Sequence, residues 1–266
     1  MSALAVPRHS TRAIAALACA ALASGALVTP ASAGRDVIDC TEVGVYDPQF
    51  DNWFIDEQTL DGDVVVPNLS PDAGAFCVFA NPEITGNLII EASSPQQGDL
   101  GPVALIFAGD QGGVIEGNIR VERGADLYNY GATVGGNVVC NGCDRVELAG
   151  GLDFDGNPFT TTVLGNVTVH DATFGASVRE AVIGGNVSIK RSTAAFDPDN
   201  GIFDPVEVSA STIDGNVHVA GNTGNPDSIQ VADNTIGGNL TCGRNNPSPA
   251  LGTGNTVLGN TLGQCG

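Results

Sequence analysis

His170 and Lys190 occupy the same place in two consecutive copies of a short repeat, and Glu122 occupies it two copies earlier. If the copies stack, this place reads Glu91, Glu122, Asn141, His170, Lys190, Ala220, with Arg120, Thr168, Ser188 and His218 running beside it. Neighbours in such a column stand about 5 Å apart. A Lys or His base beside a carboxylate can abstract a proton, as polysaccharide lysis requires. No Arg cluster or calcium-binding acidic trio joins the column to neutralise a uronate. The competing reading is a solvated sheet face with ordinary cross-strand pairs.

Two acidic loops suggest calcium. "LDFDGN" places Asp153 and Asp155 before Gly156, and "FDPDNGIFD" places Asp197, Asp199 and Asp204 around Gly201. Alternate oxygens with a Gly turn suit a hard cation, but no glutamate closes either loop. Asp-Gly and Asn-Gly are also ordinary turn chemistry. Tyr128 and Tyr130 form a candidate sugar-stacking pair without an accompanying aromatic stripe. The glycosylation-like triplets at Asn166, Asn186 and Asn239 are generated by the repeat itself. No nucleophile elbow, phosphate loop or His/Cys metal spacing is present.

The elements that must position these residues come from the repeat Gly-Asn-(apolar)-x-(apolar). It starts at Gly86, Gly117, Gly136, Gly165, Gly185, Gly215 and Gly238, with variants at Gly62 and Gly259. A period near 20 residues with insertions of about ten predicts a parallel β-solenoid of about nine rungs. Long helices are excluded by the Gly and β-branched content and the lack of a 3.6-residue period. Val64 and Val187 stand two places after their glycines. The column two further on reads Val66, Ile90, Val121, Cys140, Val169, Ile189, Val219, Cys242 and must face the core. Gly supplies the turn, and the adjacent asparagines are expected to stack into an internal amide ladder. Second strands such as "DRVELAG" and "PVEVSASTI" give at least two sheets per rung. Parallel crossovers make a right-handed coil the expectation.

The flanks set compartment and boundaries. Residues 1–33 read as a signal peptide: Arg8 and Arg12, an apolar run, then Ala31-Ser32-Ala33 as the cleavage site. Residues 34–60 read as an N-terminal cap, 61–241 as the solenoid, and 242–266 as a disulfide-pinned last rung and cap. Residues 34–266 carry eight Lys and Arg against 30 Asp and Glu, a net charge of −22. That balance argues against nucleic acid, anionic membranes and long-range attraction to acidic glycans. No second apolar span follows the leader. Beyond the leader Cys40, Cys77, Cys140, Cys143, Cys242 and Cys265 remain, an even number suited to an exported, disulfide-bonded chain. Proximity suggests 40–77, 140–143 and 242–265 among 15 connectivities. Cys140 and Cys242 share a column four rungs apart, roughly 19 Å, and cannot pair.

"NTIGGNLTCGRNNPSP", followed by "GNTVLGN" and "GQC", resembles the closing segment of secreted actinobacterial proteins with Gly-Asn-Val repeats. The resemblance is specific over about the last 35 residues. It implies export and a β-solenoid and supplies no catalytic residues. More distantly the repeat resembles pectate-lyase-like right-handed β-helices and the polymerising bactofilins, departing from the latter by its leader, cysteines and acidic charge. The expectation is a secreted structural or adhesive protein at or beyond the cell surface, self-associating or bound to a surface glycan or protein. The alternatives are a β-helix polysaccharide lyase or hydrolase using His170, Lys190 and Glu122, and a calcium-stabilised glycan- or protein-binding module.

Overall fold

The computed structural model describes residues 36–69, 75–93, 101–108, 112–152, 157–197, 202–251 and 254–266. The expected signal peptide therefore lies outside the described residues, as do Asp153, Asp155 and Asp199. The unit Arg35–Gly266 is an all-β parallel solenoid. Three sheets of ten, nine and nine strands run along it. Sheet A collects the Gly-Asn strands, from Val37–Asp39 to Thr261–Gly263. Sheet B holds longer strands such as Asp126–Tyr130 and Arg145–Ala149. Sheet C is built from two-residue strands such as Thr162–Val163 and Thr212–Ile213.

Side-chain alternation fixes the core. Val64, Val66, Leu88, Ile90, Val187 and Ile189 are fully buried in sheet A, and sheet C adds Ile84, Ile115, Ile183 and Ile236. In-register parallel pairing puts like residues above one another, for example Val187 on Val217 and Ile189 on Val219. The core is thus a set of aliphatic columns.

The repeat glycine is required by close approach. Gly117, Gly136, Gly165, Gly185, Gly215, Gly238 and Gly259 each donate to the carbonyl of the glycine one rung earlier, at 2.8–3.0 Å. A Cβ at Gly185 would sit 2.6 Å from that oxygen. Beside this column each asparagine from Asn87 to Asn260 donates its backbone N–H and Nδ2 to the preceding side-chain oxygen, beginning at Asp63.

The ladder is real, but it is not internal as expected. It runs along a corner of the solenoid where its members are half-buried or exposed. The internal ladders occupy two other corners. Ser192, Asn222, Asn245 and Gln264 form one, and Ser211, Asn234 and Asn255 the other. Asn222 is fully buried. These side chains satisfy turn amides where the chain leaves the sheets, which is where unpaired backbone would otherwise be buried.

Both terminal segments expected as caps also continue the sheets. The first contributes Val37–Asp39 to A, Val45–Asp47 and Asn52–Asp56 to B, and Thr59–Leu60 to C. A single turn of helix, Cys40–Val43, is capped by Asp39, whose Oδ1 accepts from the Thr41 N–H at 2.8 Å. Antiparallel strand Val45–Asp47 ends sheet B there. The last segment adds Thr256–Val257 to C and Thr261–Gly263 to A. Two longer repeat spacings are filled by antiparallel hairpins, Gly151–Leu152 with Pro158–Phe159 and Ala195–Asp197 with Ile202–Asp204.

Candidate functional site on the outer faces of sheets A and B

Strand pairing sets Asn141 beside His170, His170 beside Lys190, and Lys190 beside Ala220. The neighbouring outward column runs Thr168, Ser188, His218, Thr241. Glu122 does not join His170. The Asn141 strand lies between them, a separation of about 10 Å at the inter-strand spacing, and the Glu122 carboxylate is ion-paired with Arg120.

His170 is poorly placed as a base. Its Nε2 is closed off from solvent and has no hydrogen-bond partner, whereas a general base must reach the proton it removes. Burial, then the charges of Lys190 and Arg191, lower its pKa, and Asp171 opposes them. Asp171 cannot serve as a free carboxylate either. Arg191 grips it with two hydrogen bonds of 2.8 Å, which hold its pKa below the usual carboxylate range. The side chains of Lys190 and His218 have neither a hydrogen bond nor an ion pair with another described residue.

A second polar cluster, absent from the sequence reading, lies on sheet B. Arg145 stands beside Asp126 on one side and Gly175 on the other. The missing side chain at Gly175 leaves room for Asp204, carried in by the second hairpin. Arg145 Nη2 meets Asp204 Oδ2 at 2.6 Å, and both residues are buried. Arg145 also donates to the Tyr128 hydroxyl. In the next columns Arg179 pairs with Glu147 at 2.5 Å, and Glu207 accepts from Ser177 and Ser209. Arg145, Glu147, Ser177, Arg179, Asp204 and Glu207 line a depression of about 130 Å³. Ligand pockets usually start near ~300 Å³, so this one is small, and its cations are already paired.

The Tyr128–Tyr130 pair does gain a third ring. Phe107 stacks on Tyr130 at 5.5 Å and Tyr130 on Tyr128 at 6.4 Å between centroids. The rings turn their faces toward one another rather than outward. Burial, reinforced by Asp126 and Glu147, raises both tyrosine pKa values.

Of the calcium candidates, Asp204 is committed to Arg145. Asp197 lies in a strand opposite Ile202, and its side chain is outside the described residues. Among the described residues no three His, Cys, Asp or Glu side chains gather as a metal site. The cysteines pair as 40–77, 140–143 and 242–265. The middle bridge spans an Asn-Gly turn whose Gly142 has φ +74°. Among the described residues no helix is long and apolar enough to cross a membrane.

No protein-family model, curated protein or solved structure matches this chain. The sites must therefore be judged on their own geometry.

Proposed function

We propose that this is an exported, non-catalytic β-solenoid with a structural or adhesive role at or beyond the cell surface. One observation carries the reading. The carboxylates of the two polar clusters are paired, Glu122 with Arg120, Asp171 with Arg191, Glu147 with Arg179 and Asp204 with Arg145, and His170 Nε2 is enclosed, so Lys190 and His218 stand without a free carboxylate partner. Three disulfides and the acidic composition fit an extracellular setting. The leader-like residues 1–33 and the resemblance of the last 35 residues to secreted Gly-Asn-Val-repeat proteins support the same compartment.

The test uses residues 34–266 on a panel of neutral and acidic polysaccharides, with and without calcium, alongside co-sedimentation with insoluble cell-wall material. Retention on the wall without turnover is expected. Product formation abolished by both His170→Ala and Lys190→Ala, with folding intact, would replace this reading with the enzyme.

A further inference from the structure

The outer face of sheet A changes charge along its length. Its first half presents Asp63, Glu91 and Glu122 against Arg120. Its second half is formed by the strands Val138–Asn141, Val167–His170, Val187–Lys190, Val217–Ala220 and Leu240–Gly243. With the residue flanking each strand on either side, these five rungs hold one carboxylate, Asp171. Against it stand Lys190, Arg191 and Arg244, together with His170 and His218. Residues 34–266, with a net charge of −22, thus have a long face that is neutral to cationic. That face spans about 19 Å at the strand spacing, roughly twice the Debye length of about 8 Å at physiological salt. Asp214, exposed and two residues before Asn216, borders the face at its asparagine edge; carboxylates farther off than a Debye length are screened from a ligand at Lys190.

Hydrogen-bonding polarity agrees with the charge. In the ladder at the edge of this face, each side-chain oxygen of Asn137, Asn166, Asn186, Asn216 and Asn239 accepts two bonds from the next rung. Each Nδ2 spends one hydrogen on the preceding rung, and an amide nitrogen carries two. The ladder therefore consumes its acceptors and leaves a row of N–H donors at rung spacing. Hydroxyls at Thr168 and Thr241 lie in the column between this row and Lys190, whereas the Ser188 hydroxyl in the same column is enclosed.

We propose that this half of sheet A binds an acidic glycan, with anionic substituents at Lys190 and His218 and sugar oxygens along the asparagine row. The ligand class follows from the donor-rich, locally cationic surface. A polymer suits a row of repeated donors better than a single ion does. Three Lys and Arg are too few for a nucleic-acid backbone, where affinity scales with the number of phosphates neutralised. The inference rests on the adhesive reading and specifies its ligand.

The test is fluorescence anisotropy of labelled dextran sulfate oligosaccharide against residues 34–266, with unmodified dextran as the uncharged control. Binding of the sulfated polymer alone is expected, weakening as salt rises. The double variant Lys190→Ala/His218→Ala should lose about tenfold in affinity, as removal of one ammonium and one imidazole N–H contact implies, while Arg179→Ala on sheet B changes nothing. Sulfated ligand should also shift the side-chain amide NMR signals of Asn186 and Asn216, a readout in the parent protein that needs no variant.

Failure to bind dextran sulfate would overturn the inference, as would equal affinity in the double variant or equal loss in Arg179→Ala. So would tighter binding of a single-stranded oligonucleotide, or sedimentation showing that the Lys190 face holds a second copy of the chain. Wall retention without turnover that survives any of these results leaves the adhesive role standing with a different ligand.

Discussion

Gly185→Ala isolates the close approach on which the rungs depend. The new methyl would lie 2.6 Å from Gly165 O, 2.7 Å from Asn166 Oδ1 and 2.8 Å from Gly165 C. Two of these atoms are backbone, so a side-chain rotation cannot relieve the contact. The turn must move by several tenths of an ångström. That displacement strains the 2.9 Å bond from Gly185 N to Gly165 O and the bonds from Asn186 N and Nδ2 to Asn166 Oδ1, at 2.8 and 2.9 Å. Overpacking costs about 1–3 kcal/mol and each weakened hydrogen bond up to about 1, so a loss of about 2–4 kcal/mol is expected. Gly243→Ala is the matched control. Nothing lies within 4 Å of its Cβ position, and reduced freedom in the unfolded chain makes the change neutral to about 1 kcal/mol stabilising. Urea unfolding followed by far-ultraviolet circular dichroism, with disulfides intact, compares the two. If Gly185→Ala stays within 0.5 kcal/mol (about the additivity error of such measurements) of the parent, or Gly243→Ala is equally damaging, the close-approach account is refuted.

Val187→Asp and Ile189→Asp place a carboxylate at fully buried positions between rungs and should each cost more than about 4 kcal/mol; parent-like stability in either would show the inward column to be wrong. Non-reducing mass spectrometry should find Cys242 linked to Cys265 with no free thiol, and Cys265→Ser should lower stability by about 3 kcal/mol for a loop of this length; free thiols at both positions would dismiss the clamp. Burial first, and Lys190 second, lower the pKa of both His170 and His218. The unfolded chain therefore takes up these protons first as pH falls. Their contribution to stability is complete above the unfolded value near 6.5 and is lost as pH drops through the folded values. Histidine NMR should show both titrating below 6.5 and both rising in Lys190→Ala; a His170 value above 6.5 in the parent would contradict the packing.

Much of this architecture was legible because period-two alternation and a strict Gly-Asn turn repeat over nearly the whole chain. Sheet A and its inward column follow directly from Val64, Ile90 and Ile189. The expectation of at least two sheets per rung holds, but the third sheet is not separable in the sequence because its strands have only two residues, too few to show alternation. Its signal was nevertheless present: an apolar residue stands two places before every repeat glycine, from Leu60 and Ile84 to Ile236 and Val257. The asparagine ladder was foreseen but set on the wrong side of the wall. Turn residues at a corner belong to neither alternating face, so period-two logic cannot orient them. The Arg145–Asp204 pair was invisible for a different reason. It joins a sheet B strand to a hairpin 59 residues later in the chain, and Gly175, the residue that makes room for it, reads as an ordinary turn glycine.

Net charge, like local sequence, averages over features that the fold separates. A value of −22 argues against any acidic partner only if the carboxylates are spread evenly, and a solenoid does not spread them. Because each rung adds one residue to each column, a few successive substitutions can convert part of one face while the total barely changes. The five sheet A strands from Val138–Asn141 to Leu240–Gly243 show this, holding with their flanking residues a single carboxylate that is itself gripped by Arg191. On a surface about two Debye lengths long, the column composition sets the potential that a ligand meets. Partner chemistry in a repeat protein of this kind must therefore be read column by column. Here the column composition is what supports the proposal of the polar line as a docking strip.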